Sequence, residues 1–297
     1  MEVAPVLVFC YRRLESLTSA IKALRAADLA DQTALYIFSD GFKGDSDMPG
    51  VLAVREFISG IKGFKEVVII EKPTNVGLAE NIISGVSSVM EVSDRVIVLE
   101  DDLIVSRNFL RYMNLALDHY EAEDEVFSIS GYTPKVNSGG YPYDTYFTFR
   151  SSSWGWATWK NQWETVDWEM KQMDGMSWIE KIKTWKVGSD FLWMLHKQRS
   201  GKINSWAVRW VFQQYLDKKI TVFPILSKVN NIGVGDLLAT HTYNDDKRFE
   251  TPLDETDKTA FIFRDVYSGI DRRLLKEFNY YSSLKARTAS KLRNILR

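Results

Sequence analysis

A short apolar run that ends in three acids is the feature that most constrains this 297-residue chain. Val96 to Leu99 are four consecutive apolar residues, and Glu100, Asp101 and Asp102 follow directly. A continuous apolar run of this kind is typical of a strand that is buried on both faces. Because unpaired carboxylates are costly to bury, we expect the acids to emerge at the carboxyl end of the strand, where open α/β sheets bind ligands.

The three acids also predict a cation. Side chains alternate along a strand, which places Glu100 and Asp102 on one side and Asp101 on the other. Three carboxylates this close repel each other unless a cation lies among them. A divalent ion that also binds a diphosphate would supply that charge. A solvated acidic turn is the alternative, and the apolar residues on both sides of the acids favour the metal.

The first half of the chain alternates between two kinds of hydrophobic pattern. Strands are predicted at residues 6–10, 34–38, 67–70 and 96–99. Helices are predicted at residues 14–24, 51–61, from the turn at 73–75 to about 90, and 109–120. Strands that alternate with helices imply the α/β class, with a mainly parallel central sheet flanked by helices.

Charge and cysteine content exclude several classes of protein. The net charge of −1 indicates no general affinity for nucleic acid. The single cysteine, Cys10, excludes an internal disulfide framework and fits a reducing compartment. The first residues lack the pattern of a signal peptide, and no apolar stretch approaches the roughly 20 residues that span a bilayer. We therefore expect a cytoplasmic protein.

The second half of the chain is rich in tryptophan, and all ten tryptophans lie between Trp154 and Trp210. Small residues surround the indoles at 151–158, which predicts a loop. Trp154 and Trp156 are therefore interpreted either as platforms for sugar or nucleotide rings or as core residues. Four further tryptophans are predicted to pack in the core: Trp163, Trp168, Trp178 and Trp185.

Several segments resemble a known group of enzymes. Residues 100–103 and 108–110 resemble the metal-binding segment of N-acetylglucosaminyltransferase I and of the bacterial family-two-like sugar transferases of the GT-A group. Segments similar to those of the bacterial group follow in the same order at 154–159, 205–210, 231–233 and 240–242. The resemblance covers about Val6 to Thr242. It implies a GT-A (Rossmann-like) fold whose Trp-rich part lies on the acceptor side.

The resemblance also implies an activity. It is the metal-dependent, inverting transfer of a hexosyl or N-acetylhexosaminyl group from a nucleoside-diphosphate sugar, with UDP-sugars favoured. The acceptor would be a glycan or lipid-linked glycan in cell-surface polysaccharide or glycoconjugate synthesis. Asp102 and His241 would ligate Mn²⁺ or Mg²⁺, and Glu100 and Asp101 would face the ribose or the donor sugar.

Further roles follow from the resemblance for residues near the nucleotide. Arg12 would contact the base or the diphosphate, for which its guanidinium fork is suited. Asp40 would accept a hydrogen bond from the uracil imide, and a turn cap is the alternative. Asn75 belongs to a segment that resembles a nucleotide-sugar contact, and a helix cap is the alternative.

The transfer also needs a general base for the acceptor hydroxyl. The resemblance implies Asp190, which precedes an apolar run. A helix N-cap is the alternative role for this residue. Asp167, Asp217 and Asp236 are further candidates.

The chain is predicted to consist of a glycosyltransferase domain at 1–250 and a helical basic tail at 251–297. Residues 1–130 would bind the nucleotide sugar, and residues 131–250 the donor sugar and acceptor. Residues 271–297 hold eight Lys or Arg against two acids, a net charge of +6. Such a tail either lies on the anionic inner face of the cell membrane or is exposed and frayed.

Two other functions are compatible with parts of the sequence. A nucleotidyltransferase acting on a sugar phosphate could use a similar sheet and acidic site. The Gly-rich, Lys-bearing phosphate loop expected after its first strand is absent, since the first strand is followed by Tyr11, Arg12 and Arg13. A non-catalytic carbohydrate-binding protein would explain the tryptophans but not the acids.

Overall fold

The computed structural model of the protein describes residues 2–233, 247–286 and 288. Its strands are β1 (Val6–Cys10), β2 (Ala34–Ser39), β3 (Glu66–Glu71), β4 (Arg95–Glu100), β5 (Leu103–Val105), β6 (Val126–Ser130), β7 (Thr145–Thr148), β8 (Trp156–Trp159), β9 (Ile220–Pro224) and β10 (Val229–Asn231). Its α-helices are α1 (Leu14–Arg25), α2 (Met48–Ser59), α3 (Leu78–Met90), α4 (Phe109–Tyr120), α5 (Lys160–Trp163), α6 (Gln172–Gly175), α7 (Trp178–Lys183), α8 (Phe191–Arg199), α9 (Trp206–Leu216) and α10 (Arg272–Tyr281). The strands and helices predicted in the first half are confirmed within a few residues.

Eight strands form one twisted layer in the order β3-β2-β1-β4-β8-β6-β9-β7. The strands β1 to β4 are parallel to one another. Only β8 and β7 run against the other six strands of this sheet. The prediction of an α/β fold with a mainly parallel central sheet is confirmed.

Alternating side chains of β1 pack into two different cores. Val6 and Val8 belong to the core that also contains buried residues of α1, α2 and α4. Leu7 and Phe9 belong to the core formed with α3 and α9. Both faces of the strand are covered, and its sequence is accordingly apolar at every position.

The register of β1 and β4 brings the two loops that follow them together. Phe9 pairs with Glu100, so both strands end at the same level of the sheet. The chain then turns through Asp101 and Asp102 into β5, which leaves the main sheet and pairs antiparallel with β10. Residues 11–13 therefore run beside residues 101–102.

The segment that follows residue 250 packs against the sheet domain. Leu253 bridges to Ser227, and Phe263 packs against the core that contains α4. Leu274 of α10 is fully buried beside Tyr146 and Phe223. The prediction of a tail that begins at residue 251 is therefore wrong for residues 251–281, because their apolar side chains complete the core.

A buried ion pair fixes this segment. Lys228 pairs with Asp254, and each residue is only 4% exposed. Asn108 Nδ2 donates to Asp254 at 3.0 Å, and the Thr256 amide donates at 2.9 Å. Burial alone raises the pKa of Asp254, but the hydrogen bonds from Lys228, Asn108 and Thr256 hold it at about 2. In the part of the chain that the structure describes, no helix is long and apolar enough to cross a membrane.

Candidate active site

The three acids lie at the carboxyl edge of the sheet, as predicted. β4 ends at Glu100, and Asp101 and Asp102 form the turn before β5. The side chains of Asp101 and Asp102 are both more than nine-tenths buried. The chain departs from the strand conformation after Glu100. For that reason Asp101 and Asp102 converge on one partner, and the prediction that they face opposite sides is wrong.

That partner is Arg13, at the start of α1. Its Nη2 atom donates to Asp101 Oδ1 and, at 2.9 Å, to Asp102 Oδ2. The guanidinium is itself largely buried, with 13% of the side chain exposed. Sequence reasoning required a cation among the acids and did not consider Arg13. Two consecutive arginines directly after the first strand were the available signal.

Burial raises the pKa of two of the acids. Burial, together with the charges of Asp102 and Asp101, raises the pKa of Glu100 to about 8. Burial also raises the pKa of Asp101 to about 6, although the charge of Arg13 opposes the shift. At neutral pH Glu100 is therefore largely protonated, and Arg13 faces fewer than three full negative charges.

The described residues around Asp102 do not fit a bound metal ion in this arrangement. Oδ2 of Asp102 accepts from Arg13, and a Cβ placed on Gly233 would overlap the same carboxylate. Among residues 2–233 and 247–286, no three His, Cys, Asp or Glu side chains are grouped to hold a metal. His241, the second predicted ligand, lies outside the described residues. The positive charge at the acids is supplied by Arg13.

Asp40 lies buried at the end of β2 and binds the loop before α3. Its Oδ1 accepts from the amides of Gly41 and Val76, both at 2.9 Å. Its Oδ2 accepts from Asn75 Nδ2 at 2.9 Å and from the Gly77 amide at 3.0 Å. All four acceptor positions of the carboxylate are thus used. In this arrangement Asp40 has no lone pair left for a uracil imide, and its observed role is to shape the loop.

Arg12 and Asn75 lie at the same edge of the sheet. Arg12 pairs with Asp47, which also accepts from the Tyr11 hydroxyl at 2.7 Å. About one third of the Arg12 side chain stays exposed, so it faces solvent at the ends of β1 and β2. Asn75 donates to Asp40 and to the carbonyl of Gly41. The alternative role of Asn75 as the cap of α3 is wrong, since Gly77 occupies the cap position.

Trp154 lines a cavity of about 280 Å³. Its indole is half-buried and meets the rings of Tyr132 and Phe249 edge-on, at centroid distances of 4.7 and 5.9 Å. Arg150 and Asp190 supply the charged part of the same wall. An aromatic wall beside ionic groups suits a small ligand with apolar faces and polar edges.

Trp156, by contrast, is a core residue. It begins β8 and is buried in a cluster of indoles, with centroid distances of 5.0 Å to Trp206, 5.4 Å to Trp210 and 5.7 Å to Trp163. The interpretation of Trp156 as a ligand platform is therefore wrong, because the loop ends one residue earlier. The predicted packing of Trp163 and Trp168 in this cluster is confirmed.

Asp190 lies in the cavity wall and pairs with Arg150. Arg150 donates to the two carboxylate oxygens at 2.8 and 3.3 Å, a bidentate contact. Asp190 occupies the N-cap position of α8, but its side chain makes no capping hydrogen bond. Sequence reasoning did not identify Arg150, whose only signal is its place before the Trp-rich loop. The structure thus brings the predicted base and Trp154 together at one cavity.

Two of the other candidate bases, Asp167 and Asp217, do not line this cavity. Asp167 accepts from the amides of Glu169 and Lys171 and so closes a turn. Asp217 accepts from Gln213 at the end of α9. Asp236 lies outside the described residues.

Gly155 brings the loop with Trp154 close to the end of β4. Gly155 follows Trp154 and has φ of +63°, which an L side chain rarely adopts. A Cβ at this position would lie 2.7 Å from Val229 and 3.3 Å from Leu99, the residue before Glu100. The loop with Trp154 therefore lies directly on the end of β4, and both parts share the carboxyl edge of the sheet.

No protein-family model matches the chain, and no curated protein matches its sequence. Among solved structures, it is similar to the mannosyltransferase PcManGT from Pyrobaculum calidifontis in complex with GDP-Man and Mn²⁺. The identity is 14%, over 52% of this chain and 44% of that one, with a TM-score of 0.38. Residues 1–349 of TarS from S. aureus are 12% identical, over 75% and 58%, with a TM-score of 0.41. A UDP-glucose pyrophosphorylase complexed with UDP-glucose is 9% identical, over 74% and 90%, with a TM-score of 0.37.

The chain spans less than two thirds of the length of the first two of these proteins. The three include both sugar transferases and a pyrophosphorylase, so the likeness does not separate these activities. The assignment of a function depends on the site of this chain.

Proposed function

We propose that the protein is a glycosyltransferase that uses a nucleoside-diphosphate sugar as donor. One observation carries the proposal: the loop that bears Trp154 lies on the end of β4, where the acids and Arg13 meet, and Trp154 lines a cavity together with Arg150 and Asp190. The carboxyl edge of a mainly parallel sheet is where such folds bind nucleotides. A charged group beside an aromatic cavity suits a ligand that joins a diphosphate to a sugar.

The donor would lie across the ends of β1, β2 and β4. Arg12, whose side chain is partly exposed, would contact the diphosphate. The loop that Asp40 holds would border the base through its backbone. Glu100 and Asp101 would face the ribose or donor sugar, and a UDP-sugar is the favoured donor. A divalent ion at Asp102 would first have to displace Arg13, and we assign it no step.

The acceptor would enter the cavity and lie against Trp154. In an inverting transfer, the acceptor hydroxyl oxygen attacks the anomeric carbon while the bond to the diphosphate breaks. The diphosphate leaves with the bonding electrons, and a base takes the hydroxyl proton. We assign the base to Asp190, which Arg150 holds in the cavity wall. Hexosyl and N-acetylhexosaminyl donors both fit this scheme.

A glycan or lipid-linked glycan is the proposed acceptor, in polysaccharide or glycoconjugate synthesis at the cytoplasmic face of a membrane. The basic residues after 284 would contribute contacts to anionic lipid. No nucleic-acid partner is proposed, because the net charge of −1 gives no general attraction to a polyanion.

A screen of thermal stability against nucleotide sugars tests the proposal. UDP-, GDP- and dTDP-sugars are added with manganese or with a chelator, and we expect one of them to raise the melting temperature more than its free nucleotide does. The Asp101→Asn/Arg13→Met double variant should lose the shift. Glu91→Gln, at the opposite edge of the sheet, should retain it.

Product analysis then separates the transferase from the alternative. A transferase moves the sugar of the bound donor to an acceptor or, slowly, to water. The nucleoside diphosphate is released. A nucleotidyltransferase would instead form nucleotide sugar from a nucleoside triphosphate and a sugar 1-phosphate. Formation of nucleotide sugar, or the absence of any shift, would contradict the proposal.

A further inference from the structure

An exposed apolar stripe lies on α7 and the single 3₁₀ turn that follows it, Thr184–Lys186. Trp178 is 69% exposed, Ile179 65%, Ile182 38% and Trp185 59%. No residue of α7 is buried. Ile179, Ile182 and Trp185 follow Trp178 by one, four and seven residues. This spacing places the four side chains on one face of a helix. The prediction that Trp178 and Trp185 pack in the core is therefore wrong.

The stripe is unusual for a surface in contact with water only. Large apolar side chains exposed singly are ordinary, but a continuous group with two indoles marks an interaction site. Trp193 of α8, which is 55% exposed, adds a third indole in the segment that follows. In the other large group of tryptophans, Trp156, Trp163, Trp206 and Trp210 are buried. Three of the ten indoles, those of Trp178, Trp185 and Trp193, are therefore exposed within 16 residues of the chain.

Cations surround these indoles. Lys181, Lys183 and Lys186 alternate with the apolar residues along the helix, and Lys197 lies 3.6 Å from the centroid of the Trp193 ring. Residues 178–199 hold five Lys or Arg against two acids, although the whole chain has a net charge of −1. The segment is thus a local positive region in a nearly neutral protein. Its charge complements an anionic surface.

We infer that this face, Trp178 to Lys186 together with Trp193, docks on an anionic phospholipid bilayer. A short helix with lysines, isoleucines and tryptophans lies in the plane of the lipid headgroups, where the indoles prefer the boundary and the lysines meet the phosphates. The lysines favour this occupant, because the phosphates of an anionic bilayer form a continuous negative surface that attracts basic residues.

The position of the face in the fold agrees with this occupant. The chain runs from Lys186 through Gly188 to Asp190, which lines the cavity. The hydroxyl of Ser189 donates at 2.7 Å to the carbonyl of Ser282, where α10 ends and the basic C-terminal residues begin. The stripe and the start of that basic segment are therefore neighbours. If the proposed function holds, a lipid-linked acceptor would reach the cavity from this side.

Vesicle sedimentation tests the inference with the full-length chain, so that the basic C-terminal residues are present in every variant. Vesicles of phosphatidylcholine with phosphatidylglycerol are compared with vesicles of phosphatidylcholine alone. We expect wild type to bind the anionic vesicles and Trp178→Ser/Trp185→Ser to bind them at least about tenfold more weakly, a change of about 1.4 kcal/mol. Leu52→Ser/Tyr267→Ser removes two exposed apolar side chains elsewhere and should bind as wild type does.

Two further measurements keep the test decisive. Ile179→Ser/Ile182→Ser should also weaken binding, which covers the case in which the tryptophan variant fails to fold. Lys181→Gln/Lys183→Gln/Lys186→Gln should remove the preference for anionic vesicles and its sensitivity to salt. None of these residues lines the cavity, so release of nucleoside diphosphate from a soluble donor should continue in every variant.

Equal vesicle binding by wild type and both apolar variants would overturn the inference. So would a wild-type dimer in light scattering that becomes a monomer in Trp178→Ser/Trp185→Ser while vesicle binding stays the same, because the stripe would then be an interface between copies. Loss of vesicle binding supports the docking surface whether or not the protein transfers a sugar.

Discussion

Arg13 and Asp102 are joined by a hydrogen bond of 2.9 Å between Nη2 and Oδ2, and the same Nη2 donates to Asp101. The contact links the ends of two neighbouring parallel strands, β1 and β4. All three side chains are largely withdrawn from water. Neither carboxylate would be tolerated at this depth without a cation. The ion pair is thus a condition for placing acids at this edge, whatever ligand they bind.

Replacing Arg13 should destabilise the protein. Arg13→Met leaves two buried carboxylates without their cation, and breaking a buried pair in this way costs about 3–5 kcal/mol. Arg13→Lys should lose less, because an ammonium keeps the charge but not the fork. Urea denaturation at pH 7 measures both. Adding Asp101→Asn and Asp102→Asn to Arg13→Met should restore much of the loss, and no recovery would argue that Arg13 acts by packing alone.

The same ion pair leads to an expectation for chelators. Because Arg13 already compensates the acids, binding of the donor should be unchanged when a chelator replaces manganese in the thermal screen. Loss of the shift on chelation, restored by manganese, would return Asp102 to the role of metal ligand that the sequence predicts.

Glu100 should make stability depend on pH near neutrality. Its pKa in the folded protein is about 8, above its ordinary value of 4.5. A raised pKa means that the folded state binds a proton that the unfolded state releases, so the free energy of unfolding falls as the pH rises between these values. In Glu100→Gln the fall in the free energy of unfolding should be smaller by at least about 1.4 kcal/mol, which corresponds to a pKa shift of one unit. Denaturation at pH 6 and pH 9 measures it, and parallel curves for the two proteins would contradict the assignment.

Asp190→Asn should affect chemistry more than folding, because the amide oxygen can still accept from Arg150. Asp190 lines the cavity, and its side chain caps no helix. Asp190→Asn should lower kcat by roughly 10²–10⁴-fold with little change in KM for the donor, the usual worth of a positioned base. Asp217→Asn, outside the cavity, is the matched control. A near-normal kcat for Asp190→Asn would exclude it as the base.

Protonation of Asp254, which breaks its pair with Lys228, should lower stability in acid. The pKa of Asp254 is held at about 2, below its ordinary 3.8, so its share of stability is present above about pH 4 and is lost as the pH falls towards 2. Asp254→Asn should cost about 3–5 kcal/mol at pH 7, since it leaves Lys228 buried and unpaired. Lys228→Met/Asp254→Leu should cost much less. Arg199→Met, which breaks an exposed pair with Asp174, should change stability little.

Local patterns were sufficient for the elements of the first half and for the position of the acids. Four strands and four helices follow from periodicity, which depends on residues close together in the chain. An apolar run that stops at Glu100 must end a buried strand there, because carboxylates cannot continue into the core. The α/β class and the carboxyl-edge site therefore needed no tertiary information.

The partners of the acids depended on the order and register of the strands. Arg13 meets Asp101 and Asp102, 88 and 89 positions along the chain, because Phe9 pairs with Glu100. Neither segment contains a local pattern from which the pairing of β1 with β4 could be predicted. The same holds for Arg150 and Asp190, 40 residues apart.

The tryptophans show the division between sequence and structure most clearly. Their number and spacing are visible in the sequence, including the helical stripe from Trp178 to Trp185. Which face of a helix turns inward is decided by what packs against it. Trp156 is covered by α9, whereas no described element buries α7. The sequence by itself determined where the apolar groups lie along the chain, and only the packing of distant segments decided which of them are removed from water.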